Sequence, residues 1–310
     1  MTMFFKAFPR LFRSGQTRPE PASELLRDLD KVETFPTLSG TTARALAVIN
    51  DPNAALVDLA GLIRRDGVLA AAVLKLANSV AYRGRYPTET LSQATSRLGM
   101  RGCQRVVAAV AVRDTFKPAV PAAAAACEAL LRHAFFTGAL AARINAAGEL
   151  GFRGEEFSAG LLHDIGRVIL CARAPDTFAR TDPLTFREGA DILLPERAAL
   201  NTDHCEIGLR FARANTLPQS ISSAISHHHD PTAEETHRLL VALTAAADAL
   251  ANHVQCERTL TDFQPRSDPG FALLFDLAGT TAATNICRAL STVVVDALRE
   301  TRAMLRSTDH

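Results

Sequence analysis

"GLLHDIGRVIL", residues 160–170, sets a histidine and an aspartate side by side in a run that otherwise reads as buried helix. Leu161, Leu162, Ile165, Val168 and Ile169 supply the apolar positions. A chain that buries His163 and Asp164 among them must give both a partner, because an unpaired polar or charged group in a core costs several kcal/mol.

The helical pattern extends in both directions. Leu56, Leu59, Ala60 and Ile63 fall at i, i+3, i+4 and i+7, and Leu69, Val73, Leu76 and Ala77 repeat the stripe in a shifted phase. Asp51-Pro52, Asp66-Gly67, Tyr86-Pro87 and Gly99 punctuate these stretches into short helices of about ten residues. No segment alternates with period two for long enough to make a strand, so the expected fold is all-α.

The clearest change of composition is "FKPAVPAAAAACEALLRH", residues 116–133, with two prolines and a run of five alanines. It divides the chain into an N-terminal arm and linker (1–29), a first helical lobe (30–117) and a second helical lobe (118–310). The arm, "MTMFFKAFPRLFRSG", sets Phe4, Phe5, Phe8, Leu11 and Phe12 opposite Lys6, Arg10 and Arg13, with Pro9 interrupting any helix. A looser stretch, "APDTFARTDPLTFREGADILLP", interrupts the second lobe, and the closing "RSTDH" reads as frayed.

Composition excludes several functions. The chain has 310 residues, is 47% apolar and carries a formal charge of +1, so it offers no broad attraction to nucleic acid. The single candidate reading helix, with Arg97, Arg101 and Arg105 in "RLGMRGCQR", is one arginine face, and nucleic acid is not an expected partner. Six cysteines without a C-x-x-C pair argue against a zinc knuckle or a disulfide framework and fit a reducing cytoplasm. Neither a signal core nor a stretch of about 18 apolar residues occurs, so neither export nor a membrane span is expected.

Histidines concentrate in the second lobe. His133 shares a face with Thr137, Leu140 and Ile144; His204 follows Asp203, which forms a capping arrangement with Glu206; His228 extends the stripe of Ile221, Ala224 and Ile225 from a helix opening at Pro218. Asp248 is the single charge in "LLVALTAAADALA". Four helices thus each turn an imidazole or carboxylate inward, and one shared divalent cation satisfies them together. Neutral imidazole and carboxylate suit iron, manganese, zinc or nickel, while the lack of nearby thiols disfavours a structural zinc site. Asp164 is placed to bridge two ions. His227, His237 and His253 read as surface or supporting residues.

The motifs "RHAFFTGALA", "AGLLHDIGR", "DHCEIGLRFA", "AISHHHDP" and "AAADAL" resemble, in order, those of the HDOD family, the HD-related output domains of bacterial signalling proteins. "FPTLSGTTARALAVINDP", "LAGLIRRDGVLAAAVLKLANSVAYRG" and "LSQATSRLGMRG" are similar to the amino-terminal helices of that family. The resemblance covers about residues 30–255. It implies two helical lobes, the second an HD-like bundle, in a cytoplasmic bacterial regulator that acts on a signalling protein or small ligand without established catalysis.

The wider HD superfamily includes metal-dependent phosphohydrolases, and matching their motif implies metal ligands at His133, His163, Asp164, His204, His228, His229 and Asp248. Two departures follow. "HHHDPTAEETH" stands where the cyclic di-GMP phosphodiesterases carry a Gly-Tyr-Pro signature, and Arg167 replaces the usual lysine. Cyclic di-GMP hydrolysis is therefore not expected. If the chain is an enzyme, Asp164 orients a water and Arg167, a poor proton donor, neutralises phosphate charge.

Overall fold

The computed structural model describes residues 55–115, 121–182, 184–186, 192–256 and 259–308. The amphipathic arm and the motif at 35–52 lie outside the described residues. All regular structure within them is helical.

The first helices are α1 (Leu56–Arg64), α2 (Gly67–Ala77) and α3 (Leu91–Thr115). Asp66 caps α2 by accepting from the amides of Val68 and Leu69 at 3.0 and 3.1 Å, an arrangement worth about 1 kcal/mol. Gly99, at φ 66°, bends α3 in the left-handed region that glycine enters without a Cβ penalty. Beyond the bend Arg105 turns inward to pair with Glu300, while Arg97 donates to the carbonyls of Ala77 and Tyr86. The exposed Arg101 donates to the Phe152 carbonyl at 3.3 Å, so the three arginines are each engaged within the chain.

At the centre lies α4 (Ala124–Gly148), buried on nearly every side from Cys127 to Ile144, as a helix with apolar residues all round requires. It packs on α5 (Glu155–Leu162), α11 (Arg238–Gln255) and α12 (Pro269–Thr308). Between these come α6 (Ile165–Arg173), α7 (Pro175–Thr181), α8 (Leu193–Leu200), α9 (His204–Ala214) and α10 (Gln219–His227). One hydrophobic core runs from Leu59 and Val107 through Leu130 and Ile169 to Met304, and a second joins α4, α11 and α12 around Phe136, Leu250 and Ile286.

Four local readings need correction. The run at 160–170 is two helices, not one: α5 ends before His163, and Asp164, at φ −98° and ψ 19°, steps out of the helical ladder before α6. His163 bonds back to the Gly160 carbonyl at 2.8 Å, a local competitor of continued helix. The looser stretch holds α7 and the start of α8, and α12 continues through Thr308 where fraying was expected. Finally, Pro218 caps α10 rather than opening its first turn.

Candidate metal centre

Gly166 allows α6 and α9 to meet: a Cβ there would collide with the His204 carbonyl oxygen. This close approach brings the turn carrying His163 and Asp164 against His204. His133 enters from α4, Asp248 from α11, and His228 and His229 from the end of α10. All the residues expected as ligands meet in one cluster. His133, His163 and His204 are fully buried, and Asp164, His228 and Asp248 are at most 6% exposed.

Asp164 stands between two groups. Its Oδ2 faces His163 and His133 at 3.5 and 3.6 Å, and Asp248 Oδ1 closes that side at 3.0 Å from His133 Nε2 and 3.4 Å from His163 Nε2. Its Oδ1 faces His228 and His204 at 3.4 and 3.5 Å, and His204 Nε2 in turn lies 3.1 Å from His229 Nε2.

The outer ring nitrogens are fixed. Nδ1 of His163 donates to the Gly160 carbonyl and that of His228 to the Ile225 carbonyl. Gln255 Oε1 takes His133 Nδ1 at 2.6 Å, and Glu196 Oε2 takes both the Nδ1 and the backbone amide of His204. An acceptor on Nδ1 leaves the Nε2 lone pair facing inward, the tautomer a metal ligand needs. Two such nitrogens, on His133 and His163, stand 3.3 Å apart.

Electrostatics point the same way. Burial opposes ionisation of Asp164, but Arg167, His163, His228 and His204 hold its carboxyl well below the usual range. Asp248 is likewise buried, and His133 and His163 hold it low. Burial and the neighbouring His228 and His204 push His229 down to about 2. Burial also works against charge on His204, yet Cys205 and Glu196 carry its imidazole well above its ordinary value. Buried carboxylates here require positive charge, from protons on imidazole or from a cation.

The donor set fits a divalent cation. Asp164 Oδ1 and His228 Nε2 are buried without a hydrogen-bond partner, as expected of atoms whose partner is an ion. His133, His163 and Asp248 offer one set of ligand atoms, His163, Asp164 and His228 a second, and His204, Cys205, His228 and His229 a third. The Cys205 thiol corrects the expectation that no thiol lies nearby. Cys205 adjoins His204 in the sequence but matches no ligand of the superfamily motif.

Arg167 is buried with Nη1 at 2.7 Å from Asp164 Oδ2 and Nε at 2.8 Å from Asp182. Phe186 stacks on His133, ring centroids 5.3 Å apart, and Cys256 donates to the Phe186 carbonyl. Glu196, Gln255, Asp182 and Phe186 were not found from the sequence.

Comparison with known proteins agrees with this architecture. The chain is 24% identical over 220 residues to an uncharacterized protein of Treponema pallidum (strain Nichols), covering 71% of this chain and 42% of that one. It thus spans about two fifths of the length of that curated relative. An HDOD domain protein of unknown function from Geobacter sulfurreducens superposes with a TM-score of 0.71 at 23% identity, over 91% of this chain and 96% of that one. A candidate phosphohydrolase from Shewanella amazonensis SB2B gives 0.65 at 25%, over 89% and 97%. A candidate signal transduction protein from Marinobacter aquaeolei VT8 gives 0.69 at 17%, over 91% and 65%. No helix among the described residues is long and apolar enough to cross a membrane. The model of the HDOD domain matches residues 35–231, and the chain belongs to the HDOD family.

Proposed function

We propose that this chain is a regulatory module of bacterial signal transduction whose His/Asp centre holds one or two divalent cations as an internal structural element. Its output passes to a signalling protein or small ligand without turnover. The observation that carries this reading is the closure of the centre: Arg167, the cation assigned to phosphate, is 1% exposed and already neutralised by Asp164 and Asp182. Phe186 covers His133 from the other side. In this reading residues 30–117 form one lobe, 118–310 the second, and 1–29 an arm for partner contact.

His133, His163, Asp164 and Asp248 would hold one ion, and His204, His228 and His229 the other. A cation bound there supplies Lewis acidity and lowers the pKa of a bound water. The chain's own residues do the rest. Gln255 and Glu196 hold imidazole tautomers, and Arg167 fixes one oxygen of Asp164, leaving the other free.

That free oxygen favours a second reading, a metal-dependent phosphohydrolase in which Asp164 orients a water. The two are separated by incubating protein loaded with manganese, iron or zinc with nucleotides, cyclic di-GMP and bis(p-nitrophenyl) phosphate. The regulatory reading expects no turnover above that of Asp164→Ala. Turnover abolished by Asp164→Ala contradicts it and establishes the hydrolase.

A further inference from the structure

The two sides of the cluster differ in donor chemistry. One offers two imidazoles and a carboxylate from His133, His163 and Asp248; the other brings Cys205 together with His204, His228 and His229, with one ligand atom from each within 4.8 Å of the rest. Ligand atoms around one tetrahedral ion with bonds of about 2.1 Å sit roughly 3.5 Å apart. Small side-chain adjustments therefore suffice to gather these four on a single ion.

We infer that Cys205 is a ligand, and that the second position is a three-imidazole, one-thiolate site built for a borderline-soft divalent ion, zinc above all, rather than for manganese. This rests on the metal-centre reading above and deepens it. Independent support comes from His228, whose Nε2 is buried without a partner while Nδ1 is tied to the Ile225 carbonyl. His204 Nε2 also faces His229 Nε2 at 3.1 Å, with Nδ1 of His204 engaged by Glu196. Cys205 is 6% exposed, and its sulfur lies within 4.8 Å of a ring nitrogen of each of these histidines. Asp164, whose Oδ2 faces His133 and His163, serves the adjoining position.

Binding releases the thiol proton to solvent and forms a sulfur–metal bond; nothing is oxidised. Thiolate selects zinc and cobalt over manganese, whose preference is for oxygen. Four protein ligands also close the coordination sphere, as in structural zinc sites, whereas catalytic zinc keeps a position for water. Cys205 thus makes this side of the centre a structural element.

The test is cobalt(II) titration of the full-length apoprotein, followed by near-ultraviolet absorption and elemental analysis, alongside Cys205→Ser and Cys256→Ser. The expected result is a sulfur-to-cobalt charge-transfer band that Cys256→Ser retains and Cys205→Ser loses. Zinc affinity in Cys205→Ser should fall on the order of tenfold or more. Zinc K-edge X-ray absorption of the unmutated protein gives the same answer without a variant, through a sulfur neighbour at about 2.3 Å. Bound cobalt without the band, or zinc with only nitrogen and oxygen neighbours, overturns the assignment of Cys205 and leaves the metal centre standing. Failure to bind either metal removes both.

Discussion

Asp164 Oδ1 lies 3.4 Å from His228 Nε2, both atoms are buried, and neither has a well-aligned hydrogen-bond partner among the described residues. Each unsatisfied buried group costs about 1–3 kcal/mol, and a cation between them removes that cost. Adding zinc to the apoprotein should therefore raise its melting temperature, by the equivalent of about 2.7 kcal/mol at a free concentration a hundred times Kd. Asp164→Ala should reduce the rise; an equal rise in that variant would place the stabilising ion elsewhere.

Glu196 is a positioning residue, acting through His204. Glu196→Ala should weaken metal binding on the order of 10–100-fold, as measured by competition with a chromogenic chelator. Glu196→Gln keeps an acceptor oxygen and should lose less. Equal losses in the two variants would show that charge, not orientation, is what Glu196 contributes.

Phe186 covers His133, so it should control exchange more than affinity. Phe186→Ala is expected to speed extraction of the metal by a chelator several-fold at nearly unchanged equilibrium affinity. An unchanged extraction rate would show that the ion leaves by another route.

Far from the centre, the fully buried Glu300 joins three elements. It pairs with Arg105 of α3 and with Arg143 of α4 at 2.8 Å, and accepts from the Tyr82 hydroxyl at 2.7 Å. Burial opposes its charge, but Arg105, Arg143 and Tyr82 hold its carboxyl below the ordinary value of 4.5. Its folded pKa is depressed, so its stabilisation is complete above pH 4.5 and is lost as pH falls through the folded value. Glu300→Gln should cost about 3–5 kcal/mol at neutral pH, and the gap to the unmutated protein should narrow as pH drops below 4.5. Urea unfolding across that range checks both; a gap independent of pH would remove the ionised carboxylate from the explanation.

The helical class and the inward imidazoles were legible because periodicity reports which face is buried. What periodicity does not report is the partner. Glu196 shares a face with the buried Leu200, one turn on, and Gln255 follows Asp248 by two turns on α11, yet both look like ordinary polar residues of a solvated side. Glu300 lies on the same buried stripe as Val293, Ala297 and Met304, so its spacing does mark it as inward-facing. The break at His163 and Asp164 was hidden because leucine and isoleucine suit either one helix or two, and the close approach permitted by Gly166 belongs to tertiary packing. Phe186 reaches His133 from a distant segment, a contact no local pattern encodes.

Metal content decides the central claim. Protein purified without chelator or added metal, analysed by elemental mass spectrometry beside His163→Ala and Asp164→Ala, should carry about one to two divalent ions per chain, with fewer in both variants. An unmutated protein that holds no metal, and takes up none on incubation with zinc, manganese or iron, would contradict the claim and leave His163 and Asp164 as a hydrogen-bonded core pair.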